Sequence, residues 1–70
     1  MIQTGIYLHY KQLRYRVLGC VQHSETLEWL VLYQAMYGEQ GLWVRPLDMF
    51  KAQVTINGVS QARFQLLEPL

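Results

Sequence analysis

Tyr37-Gly38-Glu39-Gln40-Gly41-Leu42-Trp43-Val44-Arg45-Pro46-Leu47-Asp48-Met49-Phe50 is the stretch whose reading decides the fold. Gly38 and Gly41 permit a sharp reversal after Tyr37, and Leu42 to Arg45 then read as a short aromatic strand. Pro46 has no N–H, holds Arg45 extended and ends the pairing. Leu47 to Phe50 fit one helical turn. A 3₁₀ turn would set Leu47 and Phe50 on one side, where with Met49 they would plug the end of a barrel. Because the two glycines stand between strands and not at a helix N-terminus, they form no phosphate cradle.

Upstream, Ile6 to Tyr10 read as a strand, Lys11-Gln12 as a tight turn, and Leu13 to Gln22 as a longer strand with Tyr15, Val17, Gly19 and Val21 on one face. Gly19 marks a bend or bulge within it. Leu27 to Tyr37 could be a helix capped by Ser24 and ended by Gly38, but that helix would be apolar all round. Its Trp, Val and Tyr content favours a strand, which makes His23-Ser24-Glu25-Thr26 a hairpin turn. A hairpin centred on Ser24-Glu25 sets Cys20 opposite Trp29, Leu18 opposite Val31 and Arg16 opposite Tyr33. The ribbon is then apolar on both sides, and a one-residue slip would exchange its faces.

Downstream, Asn57-Gly58 between Val54-Thr55-Ile56 and Val59-Ser60-Gln61 signals a two-residue type I′ hairpin, because both central residues need positive φ. Val54, Ile56 and Val59 share one face, expected to pack. Gln53, Thr55 and Ser60 share the other, expected to be solvated. Residues 65–70 read as a loosely held tail on a compact 6–64 core. These 70 residues make one domain.

A chain of this size buries only roughly 60% of its unfolded surface, yet with 51% hydrophobic residues a core without staples is feasible. The single cysteine, Cys20, cannot form an internal disulfide, so a reducing, cytoplasmic compartment is expected. Met1 to Gly5 show no basic segment followed by a long apolar run, so no leader is expected. The longest apolar stretch is interrupted by Glu28 and Gln34 and falls short of the roughly 20 residues that span a bilayer. Net charge is +1 and the isoelectric point is near 7.9, below the strongly basic balance of dedicated nucleic-acid domains.

The series Tyr7-Leu8-His9-Tyr10-Lys11, Tyr15-Arg16-Val17-Leu18-Gly19, His23-Ser24-Glu25-Thr26, Tyr37-Gly38 and Leu42 to Phe50 resembles a bacterial family of small proteins catalogued as a domain of unknown function. The resemblance covers positions 6 to about 64 and includes the Trp43-Val44-Arg45-Pro46-Leu47-Asp48-Met49-Phe50 signature. It implies a small SH3-like barrel or roll of five to six antiparallel strands, with a short 3₁₀ turn before the last hairpin. It implies no established activity. The chain departs from the pattern at Trp29, where a polar residue is expected.

Little in the chain points to catalysis. Cys20 and His23 lie three apart on one strand, so they point to opposite faces and form no thiol–base pair. His9, Cys20 and His23 lack zinc-site spacing, and Glu25 and Glu28 occupy positions where acids are usually solvated. No metal or cofactor is expected, and the chain reads as a non-enzyme.

Tyr10-Lys11-Gln12-Leu13-Arg14-Tyr15-Arg16 mixes rings with cations, as single-strand binders do, but alternation sends Tyr15 away from both arginines. A surface pair of Arg16 with Tyr33 explains that segment as well. Arg45, held extended between Trp43 and Pro46, is placed to meet an anion, although Asp48 or Glu39 could also pair with it. The sequence thus reads as a non-catalytic binding module using His23, Tyr33, Trp43 and Arg45. Its partner is expected to be a protein or peptide, with nucleic acid less supported. The other reading is a structural subunit that forms a homodimer through Trp29-Leu30-Val31-Leu32.

Overall fold

The structure, a computed structural model, describes residues 2–70. Seven strands and one short helix follow in the order β1 (Gly5–His9), β2 (Arg14–Gln22), β3 (Trp29–Ala35), β4 (Leu42–Pro46), α1 (Leu47–Phe50), β5 (Gln53–Ile56), β6 (Val59–Ala62) and β7 (Phe64–Pro69). The first four strands and β7 form one antiparallel sheet ordered β4-β3-β2-β1-β7, and β5-β6 make a separate ribbon. The chain is therefore mainly β. Its large sheet is open, with β4 and β7 as two unjoined edges, and is not the closed SH3-like barrel that the sequence leads one to expect. Among the described residues no helix is long or apolar enough to cross a membrane.

Strand was the correct reading of the ambiguous third segment. Its register differs from the expected one, because the β2–β3 connection is a six-residue loop, His23–Glu28. Within it Leu27 N–H donates to the His23 carbonyl, and His23 N–H donates to the Glu28 carbonyl. A left-handed Leu27 (φ 63°) closes it. Cys20 consequently lies opposite Val31 rather than Trp29. A bulge then intervenes between Val17 and Gly19, so that Val17 lies opposite Tyr33 and Arg16 opposite Gln34. Gly19 does mark the bulge, as its position suggested. The extra residue carries Gly19 and Val21 to the other face from Tyr15 and Val17, and it separates Arg16 from Tyr33.

Alternation from that bulge collects the core on one face. Tyr7, Val17, Val31, Tyr33, Phe50 and Phe64 are buried together, with Tyr15, Cys20 and Leu47 packed against them. α1 delivers Phe50 onto this face. It is a single α-turn rather than a 3₁₀ turn, because Lys51 N–H reaches back to the Leu47 carbonyl at 3.0 Å. Leu47 and Phe50 both point inward as expected, whereas Met49 faces solvent.

Two further expectations change. Residues 65–69 are not a loose tail, since β7 pairs with β1 along its length, from Gly5 opposite Pro69 to His9 opposite Phe64. The β5-β6 hairpin turns through Asn57 (φ 51°) and Gly58 (φ 77°), as a type I′ turn requires. Its apolar face is nevertheless open: Ile56 and Val59 are exposed and only Val54 is half-buried. Among the described residues, none covers the tip of the ribbon enough to bury Ile56 or Val59.

Candidate aromatic–cationic binding face

The concave side of the large sheet carries a chain of rings that crosses its strands. Tyr33 and Trp43 are direct cross-strand neighbours on β3 and β4. Tyr15 on β2 meets Tyr33 edge-on at 5.3 Å, and His9 on β1 lies 6.2 Å from Tyr15 and 4.4 Å from Tyr10. Phe64 and Phe50 support this row from the core. Exposure rises toward its β4 end: Trp43 is 60% exposed and Tyr37 44%. The Tyr15 and Tyr37 hydroxyls share a hydrogen bond of 2.7 Å. Burial first, and that bond second, push the Tyr15 hydroxyl up to about 12.

Three cations converge on the same surface from distant parts of the chain. Lys11 sits in the β1–β2 turn, whose backbone is fixed by Gln12 N–H to the His9 carbonyl and by Lys11 N–H to His9 Nδ1. Its Nζ lies 5.8 Å from the Tyr10 ring. Arg63 links the ribbon to β7. Its N–H donates to the Ala52 carbonyl and its carbonyl accepts Tyr10 N–H, which brings its guanidinium 5.9 Å from the same ring. Arg45 extends from β4, opposite Val31, and lies 5.6 Å from Phe64.

His9 registers this convergence. Burial lowers its pKa, and Arg45, Arg63 and Lys11 each lower it further; every charge acting on it is positive. Arg63 Nε is buried with no hydrogen-bond partner among the described residues. The face therefore joins flat rings to unneutralised positive charge, a combination suited to an anionic ligand with planar groups.

Of the residues singled out from sequence, Tyr33, Trp43 and Arg45 come together here. Tyr33 is buried and supports the face from beneath, while Trp43 and Arg45 can touch a ligand. His23 lies elsewhere, in the β2–β3 loop. Its Nδ1 accepts the N–H groups of Glu25 and Thr26 at 3.1 and 3.3 Å, so it organises that loop. Trp29 is 41% exposed and lines a cleft of about 170 Å³ with Glu28, Pro46, Leu47 and Asp48. The Trp29–Leu32 segment lies in β3 between β2 and β4: Leu30, Val31 and Leu32 are paired on both sides, and Trp29 is paired with Gln22 on β2.

His9 and Arg63 belong to the face but were not expected there, and Tyr10 stood in the basic-aromatic segment that an Arg16–Tyr33 pair was expected to explain as well. The one available signal was the Tyr10-Lys11 dipeptide, and its partners enter through the fold. Among the described residues no three His, Cys, Asp or Glu side chains gather as metal ligands. Cys20 is a half-buried free thiol against the core.

Comparison with known proteins sets this geometry in a family. No curated protein matches the chain. A crystal structure of a DUF1653 protein from Bordetella bronchiseptica is similar to it, with a TM-score of 0.90 and 30% identity, covering 99% of this chain and 91% of that one. The family described as "Protein of unknown function (DUF1653)" matches residues 5–66. With nearly its whole length matched, the chain belongs to the DUF1653 family.

Proposed function

We propose that the chain is a non-catalytic binding module whose concave face takes single-stranded nucleic acid. The observation that carries this reading is the convergence of Lys11, Arg45 and Arg63 around His9 and Tyr10, beside exposed Trp43 and Tyr37. Single-strand binders combine cations that follow the phosphates with rings on which bases stack, and stacking contributes about 1–3 kcal/mol per base. The cations favour an anionic polymer over the neutral peptide that composition alone would allow. Three neutralised phosphates imply modest affinity, in keeping with a net charge of +1.

The test is a titration of a short, fluorescently labelled single-stranded oligonucleotide at several salt concentrations. Saturable binding is expected, with log K falling against log salt at a slope of about −2, roughly 0.7 for each phosphate neutralised. Absence of saturable binding at low salt removes the reading. Binding of acidic peptides without oligonucleotide binding reassigns the ligand to peptide.

A further inference from the structure

β4 is the barest part of the molecule. Leu42, Trp43 and Val44 are three consecutive large apolar residues, exposed by 61%, 60% and 52%, on a strand with no neighbour on its outer side among the described residues. An apolar edge of this kind recruits another strand.

The ladder shows which groups it offers. Ala35 N–H donates to the Gly41 carbonyl, so Ala35 and Gly41 are a hydrogen-bonded pair. Such pairs alternate along antiparallel strands, so Tyr33–Trp43 and Val31–Arg45 are the next two. Leu42, Val44 and Pro46 therefore turn their backbone groups away from β3, toward open solvent. Pro46 offers a carbonyl there but no N–H.

That pattern is complementary to itself. We propose that β4 pairs antiparallel with β4 of a second copy of this chain, about a two-fold axis through the paired Val44 residues. The two Val44 residues then exchange N–H and carbonyl groups, and each Leu42 N–H reaches the Pro46 carbonyl of the other copy. The only donors missing from the pairing are those proline lacks, so Pro46 ends the shared ladder.

Side chains agree with the register. On the convex face Val44 meets Val44, and Leu42 meets Pro46 of the other copy. On the concave face Trp43 comes opposite Arg45 of the other copy, a ring beside a guanidinium. No like charges face each other across the axis. A strand from an unrelated protein would satisfy the same backbone, but only a second copy brings this matched set of side chains. The result is one sheet continuous through two chains, with both concave faces on the same side.

Light scattering on the purified chain tests the pairing. The expected mass is twice that of one chain, with the Leu42 and Val44 amides protected from hydrogen exchange. Val44→Pro removes an outward N–H that the monomer does not use, and Val44→Lys sets like charges face to face. Both variants are expected to give the mass of one chain while keeping the circular dichroism of the fold, with those two amides unprotected. A single-chain mass for the parent protein at millimolar concentration overturns the proposal. So does a dimer that survives both substitutions.

Discussion

Phe50 and Phe64 stack with ring centroids 4.0 Å apart and planes 5° from parallel. This contact joins α1 to the first residue of β7, and Tyr7 meets the Phe50 ring edge-on at 5.4 Å. Four residues of helix are too few to be stable alone, so α1 persists because its one buried ring is held here. Phe50→Ala should lower stability by about 3–5 kcal/mol, and Phe50→Leu by distinctly less. Urea unfolding followed by circular dichroism gives both values, and equal losses would show that the ring stacking is not what matters.

Gly5 gives a sharper contrast. It has φ +151°, and a Cβ there would collide with the Glu68 carbonyl oxygen and touch the Pro69 Cα at 3.0 Å. β1 and β7 approach closely at this point because nothing separates their backbones. Gly19 has a similar φ of +157°, but a Cβ there would meet nothing within 4 Å. Gly5→Ala should therefore cost more than Gly19→Ala, whose loss is limited to backbone strain of about 1–3 kcal/mol. Paired urea midpoints decide the order.

Those two glycines also show how far the sequence could be read. Gly19 announced its bulge and Asn57-Gly58 its turn, since backbone chemistry at single residues fixes both. Which residues of β2 and β3 face each other was not legible, because two extra loop residues and the bulge each shift the register. Closure of the sheet was not legible either. It depends on whether the outer edge of β7, whose inner edge pairs with β1, also meets β4, and those two edges stay unjoined. Among the site residues, Trp43 and Arg45 stood out through their neighbours in the chain, whereas Arg63 joins Tyr10 only through the β5-β6 ribbon's attachment.

The crowding of cations around His9 has a consequence for stability. Its folded pKa lies below the usual 6.5, first through burial and then through Arg45, Arg63 and Lys11. The unfolded chain accepts the proton more readily, so stability is unaffected well above pH 6.5 and falls as pH drops through it. The loss levels off once the folded state is protonated as well. The urea midpoint should decline from neutral to mildly acidic pH, and His9→Gln should flatten that part of the profile.

Tyr15 gives the opposite sign at high pH. Its hydroxyl ionises at about 12 when folded, against 10.0 when unhindered, so stability should fall as pH rises from 10.0 toward 12. The bond with Tyr37 is one of the causes. Tyr37→Phe should lower the Tyr15 pKa and reduce stability by about 1 kcal/mol. A titration of phenolate absorbance reads the first effect. An unchanged Tyr15 curve would mean that the bond with Tyr37 does not hold the proton.

The arginines separate a specific face from diffuse charge. Arg45 lies on the concave side, near Phe64, whereas Arg16 lies opposite Gln34 on the convex side. Each substitution to glutamine removes one positive charge, so any effect of net charge alone is the same for both. If phosphates follow the concave rings, Arg45→Gln should weaken oligonucleotide binding and reduce the salt slope by about 0.7, while Arg16→Gln leaves the slope unchanged. Arg63→Gln should resemble Arg45→Gln, because both cations lower the His9 pKa. Titrations of the three variants against one labelled strand make the comparison. Equal losses at Arg16 and Arg45 would mean that long-range attraction, not the concave face, holds the strand.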